Sequence, residues 1–136
     1  MTRTLLTKKF QAQTEQLHHL RRWVRVSAET AGLDENQVEK IVIGVNEACM
    51  NIIEHAYKKS PGEVIFEVRQ EPGQVVFQLT DFAEPIDCDK IKPRALDDIR
   101  PGGLGVHFIQ QVMDSVEYLP GGAGVGNVIK MVIKIK

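Results

Sequence analysis

The chain has 136 residues, of which 43% are hydrophobic, and a formal net charge of -1. This length predicts a single domain over residues 1–136, and the interspersed charges exclude recruitment to nucleic acid or to a membrane surface by charge alone. Cys49 and Cys88 are too few for a disulfide framework, and no apolar run reaches the length of a signal peptide or a membrane span, so we expect a cytoplasmic protein.

The first part of the chain predicts a weak strand over residues 2–10 and two helices. Apolar residues recur at helical spacing from Leu17 to Ala31, and Gly32 ends this first helix. Asp34 with Gln37 three positions later is a variant of the capping box that opens helices. The second helix is expected to run to about Tyr57, before a Pro-Gly pair breaks it.

The rest of the chain predicts mostly strands. Two β-rich runs, 64–69 and 75–81, are separated by Glu-Pro-Gly-Gln and predict a hairpin. Residues 83–103 contain three prolines and many charges with little periodicity, which is typical of a functional loop, and we interpret them as a lid. A short helix follows over 104–113, and then two strands over 116–119 and 128–135.

The order of these elements predicts the fold class. Helices come early and strands come in adjacent antiparallel-type pairs, which favours an α+β two-layer sandwich with a mixed, mostly antiparallel sheet over a doubly wound parallel sheet. In the last strand, isoleucines and a methionine alternate with lysines. One sheet face is therefore expected to be wet, and helices are expected to cover only the opposite face. The apolar set is Ile129, Met131, Ile133 and Ile135, and the lysines are Lys130, Lys134 and Lys136.

A polar stripe follows the second helix beside its apolar face. Glu47, Asn51 and His55 have i, i+4, i+8 spacing, so a carboxylate and an amide stand one turn apart. Such a pair can hold a hard cation through the amide oxygen while the carboxylate stays available as a base. A solvated helix face with no chemical role explains the same pattern.

The surrounding sequence, GVNEACMNIIEHAY, resembles the N-box of the GHKL ATPases, in the E-x-x-x-N-x-x-x-H-A-Y form found in anti-sigma-factor serine kinases. The resemblance implies a Bergerat-type ATP-binding fold. It also implies that Glu47 is the general base and that Asn51 binds ATP-bound Mg²⁺. His55, Ala56 and Tyr57 close the motif, and we interpret these three as helix-end packing rather than chemistry.

Asp81 ends the second strand of the hairpin, in phase with its apolar side chains, so we expect it to point inward and to need a hydrogen-bond donor. A ligand amine or a simple turn cap would each satisfy it. The family resemblance implies that Asp81 accepts a hydrogen bond from the adenine amino group. Ala83 stands where the family motif D-x-G has glycine, and we expect this departure to weaken the site without removing it.

Glycines precede the short helix, in Gly102-Gly103-Leu104-Gly105-Val106. Glycines at this position can be simple turn residues, or they can let backbone N–H groups approach phosphate at the helix end. The run resembles the second glycine box of the family, which implies that Gly103, Leu104, Gly105 and Val106 contact the phosphates of ATP. A P-loop is excluded because its motif occurs nowhere in the chain.

The resemblance covers the chain from about Phe10 to the C-terminus. It implies a kinase that uses ATP and Mg²⁺ to phosphorylate a serine of a small anti-sigma-factor antagonist, that sequesters a sigma factor, and that forms a homodimer. A non-catalytic protein-binding module of the same fold is the alternative. A histidine kinase is disfavoured, because the chain is too short for a separate phosphoacceptor domain. A metal site built from His107, His55 and Cys49 is disfavoured by their spacing.

Overall fold

A computed structural model of the chain describes residues 2–58, 60–83, 109, 111–120 and 126–135. Five strands and two α-helices lie in this part of the chain, together with a 3₁₀ turn at Thr14–Gln16 and a π-helix at Ile52–Ala56. Their bounds are β1 Arg3–Gln11, α1 Leu17–Thr30, α2 Glu35–Asn51, β2 Glu63–Glu71, β3 Gln74–Asp81, β4 Ser115–Pro120 and β5 Asn127–Lys134. The short helix predicted over 104–113 is seen at Ile109, Gln111 and Val112, and the residues before Ile109 lie outside the described part.

The strands form one sheet in the order β1-β2-β3-β5-β4. Each pairing among the described strands is antiparallel, so this part of the sheet is not mixed. This confirms the predicted α+β class with a mostly antiparallel sheet. Since β5 lies between β3 and β4, the chain leaves β3, reaches the edge of the sheet at β4 and returns through β5 to pair with β3. This return places the start of β5 beside the end of β3, where Asn127 is paired with Asp81.

The core lies between the sheet and the two helices, which cover the same sheet face. Alternate side chains of the central strands point into it, because successive residues of a strand face opposite sides. The largest fully buried side chains come from every layer: Phe66, Phe77, Leu79 and Met131 from the strands, Leu20 and Val24 from α1, and Ile41 and Val45 from α2. The predicted inward phase of β3 is confirmed by the burial of Asp81.

The sheet face opposite the helices is less exposed to solvent than predicted. Lys134 is exposed there, but Val76 and Val132, which are paired across β3 and β5, are buried on this face. Arg69 is the partner of Val76 on β2, and its guanidinium donates to Gln78 at 3.1 Å and pairs with Glu67. Long polar side chains of neighbouring strands therefore cover apolar residues that face away from the helices.

The helix ends explain the loop positions. Asp34 accepts from the Gln37 N–H at 2.8 Å, and the Gln37 side chain accepts from the Asp34 N–H at 3.1 Å, so the predicted capping box is confirmed. Gly32 and Gly73 have φ of 89° and 76°, which glycine adopts without strain, at the end of α1 and in the β2–β3 turn. No helix within the described ranges is long and apolar enough to cross a membrane.

Candidate functional site

Two residues of the polar stripe, Glu47 and Asn51, are half-buried on α2 and have no partner among the residues that the structure describes. The side chains of Glu47 and Asn51 are partly accessible, and neither forms a hydrogen bond or an ion pair with any described residue. The apolar residues on either side of Glu47 along the helix, such as Val45 and Ala48, are buried and fix the orientation of α2. A carboxylate and an amide oxygen are therefore held one turn apart on a fixed helix and remain available to a ligand.

The helix changes type directly after Asn51. Residues Ile52–Ala56 form a π-helix, in which the Tyr57 N–H donates to the Ile52 carbonyl at 2.9 Å. Short π-helical segments are often found at functional sites. His55 is exposed and lies 4.0 Å from Glu54, so the third residue of the predicted stripe points to solvent rather than joining the other two.

Tyr57 joins the end of this helix to the sheet. Its hydroxyl oxygen accepts from the Phe82 N–H at 2.7 Å and donates to the Glu63 carbonyl at 2.6 Å. The predicted packing role of Tyr57 is therefore correct, but its hydroxyl also makes specific backbone contacts. Through it, the C-terminal end of the π-helix reaches the C-terminal end of β3.

Asp81 is a nearly buried carboxylate, with 2% of its surface exposed. Its Oδ1 accepts from the Asn127 amide at 2.9 Å and from the Ala83 N–H at 3.0 Å. Among the described residues no donor is bonded to Oδ2, and Oδ2 is not a buried atom without a partner, so this oxygen keeps some access to solvent or to a ligand. The predicted turn-capping role and an open acceptor thus occur together, on different oxygens of one side chain.

The start of β5 packs tightly against the residues after Asp81. The Gly126 N–H donates to the Asp81 carbonyl at 2.9 Å, and a Cβ added to Gly126 would lie 1.8 Å from the Ala83 carbonyl oxygen. Only glycine allows this approach. Ala83 does not have a positive φ, since Lys58 is the one non-glycine residue with positive φ among those described. The backbone at Ala83 therefore does not require glycine.

The electrostatics of the strand end follow from burial. Removal from water raises the pKa of Asp81, while the hydrogen bonds from Asn127 and the Ala83 N–H act in the opposite direction. A carboxylate oxygen with a buried neighbourhood and no donor fits a ligand N–H group, such as the amino group of adenine. The oxygens of Glu47 and Asn51 are of the type that Mg²⁺ takes, so the donor set fits Mg-ATP.

Part of the predicted site lies outside the described residues. Gly103, Leu104, Gly105 and Val106 fall there, as does the predicted lid over 83–103 except for Ala83. Their predicted contacts with phosphate remain predictions from the sequence.

Two contributors to the site were missed in the sequence. Asn127 supplies a donor to Asp81 although the two residues are 46 positions apart, and Gly126 fits against Ala83. A pairing between distant strands has no local sequence signal, so only the glycine-rich approach to β5 could have indicated a close contact.

The chain is similar to known ATP-dependent proteins in its sequence. The profile of the histidine kinase-like ATPase domain family matches residues 10–133. The proteins named serine-protein kinase RsbW from Bacillus thuringiensis and Bacillus cereus are each 24% identical over 119 residues, which cover 82% of this chain and 74% of the relative.

Solved structures with similar folds agree with this match. The structure of the SiaB–SiaC complex from Pseudomonas aeruginosa contains a similar chain, with a TM-score of 0.68 and 14% identity, covering 98% of this chain and 90% of that chain. The RsbU and RsbW domains of a Mycobacterium tuberculosis protein give a TM-score of 0.62 with 15% identity, covering 95% of this chain and 32% of that chain. At these identities the likeness establishes the fold alone.

Proposed function

The chain belongs to the histidine kinase-like ATPase domain family, and on that premise we propose that it is an ATP-dependent serine-protein kinase. Its substrate would be a serine of a small anti-sigma-factor antagonist. The chain would also bind and sequester a sigma factor. The names of the similar Bacillus proteins support a serine kinase. The intact E-x-x-x-N spacing at Glu47 and Asn51 supports a catalytic role. A cytoplasmic location and a homodimer are part of the same proposal.

The observation that carries the proposal is the state of Asp81. A carboxylate with 2% exposure is costly in a folded protein unless its oxygens are satisfied. Asn127 and the Ala83 N–H satisfy Oδ1, while Oδ2 has no donor from the described residues and is the oxygen of this side chain that a ligand can reach. An adenine amino group at Oδ2 would complete the set and fix the base at the end of β3.

The residues of α2 would then act at the other end of the nucleotide. Asn51 would hold Mg²⁺, which when bound would neutralise charge on the phosphates of ATP. Glu47 would accept the proton of the substrate serine hydroxyl while the serine oxygen forms a bond to the γ-phosphorus. The bond from that phosphorus to the bridging oxygen breaks, and ADP leaves with the electron pair. From the sequence we also propose that the backbone of residues 103–106 contacts the phosphates.

Phosphoryl transfer to a candidate antagonist tests the proposal directly. The full chain is incubated with Mg-[γ-³²P]ATP and small antagonist proteins encoded nearby, and any phosphoserine is located by mass spectrometry. Glu47→Ala is expected to lower the transfer rate by at least about 100-fold, the usual contribution of a general base, while ATP binding is retained. Unimpaired transfer in this variant would remove Glu47 from its proposed role.

Glu54→Ala is the matched control for that experiment. Glu54 lies in the π-helix that continues α2 and carries the same charge, and its ion pair among the described residues is a 4.0 Å contact with exposed His55. Its rate should stay within about twofold of the unmodified protein. If the unmodified protein binds Mg-ATP but transfers no phosphate to any antagonist, the non-catalytic binding module of the same fold is the correct function.

A further inference from the structure

The hydroxyl of Tyr57 occupies an unusual place between two strands. The last pair of the β2–β3 ladder is Val64 with Asp81, so the next residues, Glu63 and Phe82, lie directly opposite each other. They do not bond directly. The phenol oxygen accepts from the Phe82 N–H at 2.7 Å and donates to the Glu63 carbonyl at 2.6 Å. A side chain thus stands where a backbone-to-backbone hydrogen bond would continue the ladder.

The ring that delivers this hydroxyl is held on several sides. The Tyr57 N–H is fixed by the π-helical bond to Ile52, and its carbonyl accepts from the Ser60 N–H at 2.8 Å. Gly62 lies against the ring, since an added Cβ at Gly62 would come within 2.1 Å of the Cε1 atom of Tyr57. Neither a shift of the ring nor a slide of the helix end is possible without breaking one of these contacts.

The consequence reaches Asp81 within one residue. Phe82 is the residue between Asp81 and Ala83, and the Ala83 N–H is one of the two donors to Asp81 Oδ1. If Phe82 bonded directly to Glu63, the chain after Asp81 would be drawn toward β2 by the width of one phenol oxygen. The Ala83 N–H would move with it, and the carboxylate would turn.

We propose that Tyr57 is a positioning residue for base recognition: its hydroxyl holds the β2–β3 pair open after Asp81 and so directs the free carboxylate oxygen to the exocyclic amino group of the purine. This inference rests on the proposed nucleotide site and adds a residue that determines its selectivity. It also links the helix of Glu47 and Asn51 to the strand end that recognises the base. Burial raises the pKa of Tyr57, so the phenol stays protonated and can donate to Glu63 at neutral pH.

A comparison of two nucleotides separates positioning from general stability. ATP and purine riboside triphosphate, which lacks the 6-amino group, are titrated with Mg²⁺ into the full chain and into Tyr57→Phe by calorimetry. The dissociation constant for ATP should rise about fivefold to tenfold in the variant, the usual effect of misplacing one charge-assisted hydrogen bond, while that for purine riboside triphosphate stays within about twofold. The preference for ATP is therefore largely lost.

Ser27→Ala is the matched control. The hydroxyl of Ser27 is buried and bonds to the Trp23 and Val24 carbonyls of α1 at 2.8 and 3.1 Å, and neither bond reaches β2 or β3. Its removal should lower thermal stability and leave the ratio of the two affinities unchanged.

Gly62→Ala is an independent second variant, and it tests the positioning role of Tyr57 if Tyr57→Phe does not fold. Gly62 has no positive φ, so alanine suits its backbone, but the new Cβ forces the Tyr57 ring away while the hydroxyl is kept. The same loss of preference for ATP is expected. Equal weakening of both nucleotides, or no change in the ratio, would overturn the inference while leaving the nucleotide site intact. An unmodified protein with no preference for ATP would instead overturn adenine recognition itself, and the role of Tyr57 with it.

Discussion

The end of β3 and the polar stripe of α2 differ in how their functional groups are held. Asp81 is almost fully buried, and its Oδ1 has two internal donors, while Gly126 and Ala83 are packed against each other beside it. Glu47 and Asn51 are half-accessible and make no polar contact with any described residue. The end of β3 is thus preformed, whereas the polar groups of α2 remain available to a ligand.

This difference matches the two tasks of the proposed ATP-dependent protein kinase, which are recognition of the base and transfer of the phosphate. A base is recognised by a fixed donor and acceptor pattern, and a preformed pattern lowers the entropy cost of binding. A metal ion and a transferring phosphate need ligands that can approach during the reaction, because Mg²⁺ keeps several waters and takes few protein ligands. Changes at the strand end should therefore affect affinity, and changes on the helix should affect rate.

Asp81→Asn should have the largest effect on affinity. The amide presents one oxygen and an NH2 group in place of two carboxylate oxygens, so the adenine amino group loses its charged acceptor. The dissociation constant for ATP should therefore rise roughly 100-fold. Relief of a buried charge should keep the thermal midpoint equal to or above that of the unmodified protein. Calorimetry and thermal unfolding measure the two effects.

Asp114→Asn is the control for this change. Asp114 is exposed and accepts from the Lys134 N–H at 2.6 Å, at the opposite end of β5 from Asn127. ATP affinity should be unaffected by it. A value for Asp81→Asn within about threefold of the unmodified protein would contradict base recognition by Asp81.

Gly126→Ala tests whether the strand end is preformed by close packing. The new Cβ would meet the Ala83 carbonyl oxygen at 1.8 Å, which is backbone and cannot rotate away. We expect a loss of about 2 kcal/mol in the free energy of unfolding, together with weaker ATP binding. Chemical denaturation and calorimetry follow both quantities.

Gly32→Ala distinguishes this local effect from general destabilisation. Gly32 has a φ of 89° and open space around it, so alanine there strains only the end of α1. The variant should lose about 1 kcal/mol of stability and keep its ATP affinity. Equal loss of affinity in both glycine variants would mean that stability, rather than site geometry, controls binding.

The sequence predicted the elements around this site better than the contacts within it. The capping box at Asp34 and Gln37, the glycine turn before β3 and the inward phase of Asp81 are local patterns, and all three are confirmed. The resemblance to the GHKL family is confirmed as well, by the match to the histidine kinase-like ATPase domain and by the similarity to proteins named serine-protein kinases. Each of these rests on spacing within about one element.

The remaining features depend on parts of the chain that meet only after folding. Asn127 reaches Asp81 because β5 inserts next to β3, and the position of the Tyr57 hydroxyl between Glu63 and Phe82 depends on the register of β2 with β3. Neither has a local signal. The π-helix after Asn51 was also missed: the predicted helix end near Tyr57 is correct, but helical periodicity does not indicate that the last turn widens.

The pH dependence of ATP affinity should also distinguish the end of β3 from the helix, with a smaller effect than Asp81→Asn. Burial raises the pKa of Asp81 above its ordinary value. An acid with a raised pKa in the folded state binds a proton more readily when folded, so its contribution to stability increases as pH falls through that raised pKa. ATP binding should change in the opposite direction, since a protonated carboxyl is a poorer acceptor for the adenine amino group.

The ratio of ATP to purine riboside triphosphate affinity isolates this titration, because both nucleotides carry the same phosphates. The ratio should fall as the pH is lowered from about 7 to about 5, towards the raised pKa of Asp81. In Asp81→Asn it should not change with pH. A ratio that is constant in the unmodified protein would mean that Asp81 is not the acceptor of the base.

Ala83→Gly should have the smallest effect, and it tests the departure from the family motif. Ala83 has a negative φ, its N–H already donates to Asp81 at 3.0 Å, and its carbonyl already fits against Gly126. Glycine would therefore add no geometry that the turn lacks and would only increase the freedom of the unfolded chain. Stability should decrease by about 0.5 kcal/mol and ATP affinity should stay within about twofold. An affinity gain above about fivefold would instead mean that alanine restrains the turn, and that the strand end is less completely formed in advance than its hydrogen bonds indicate.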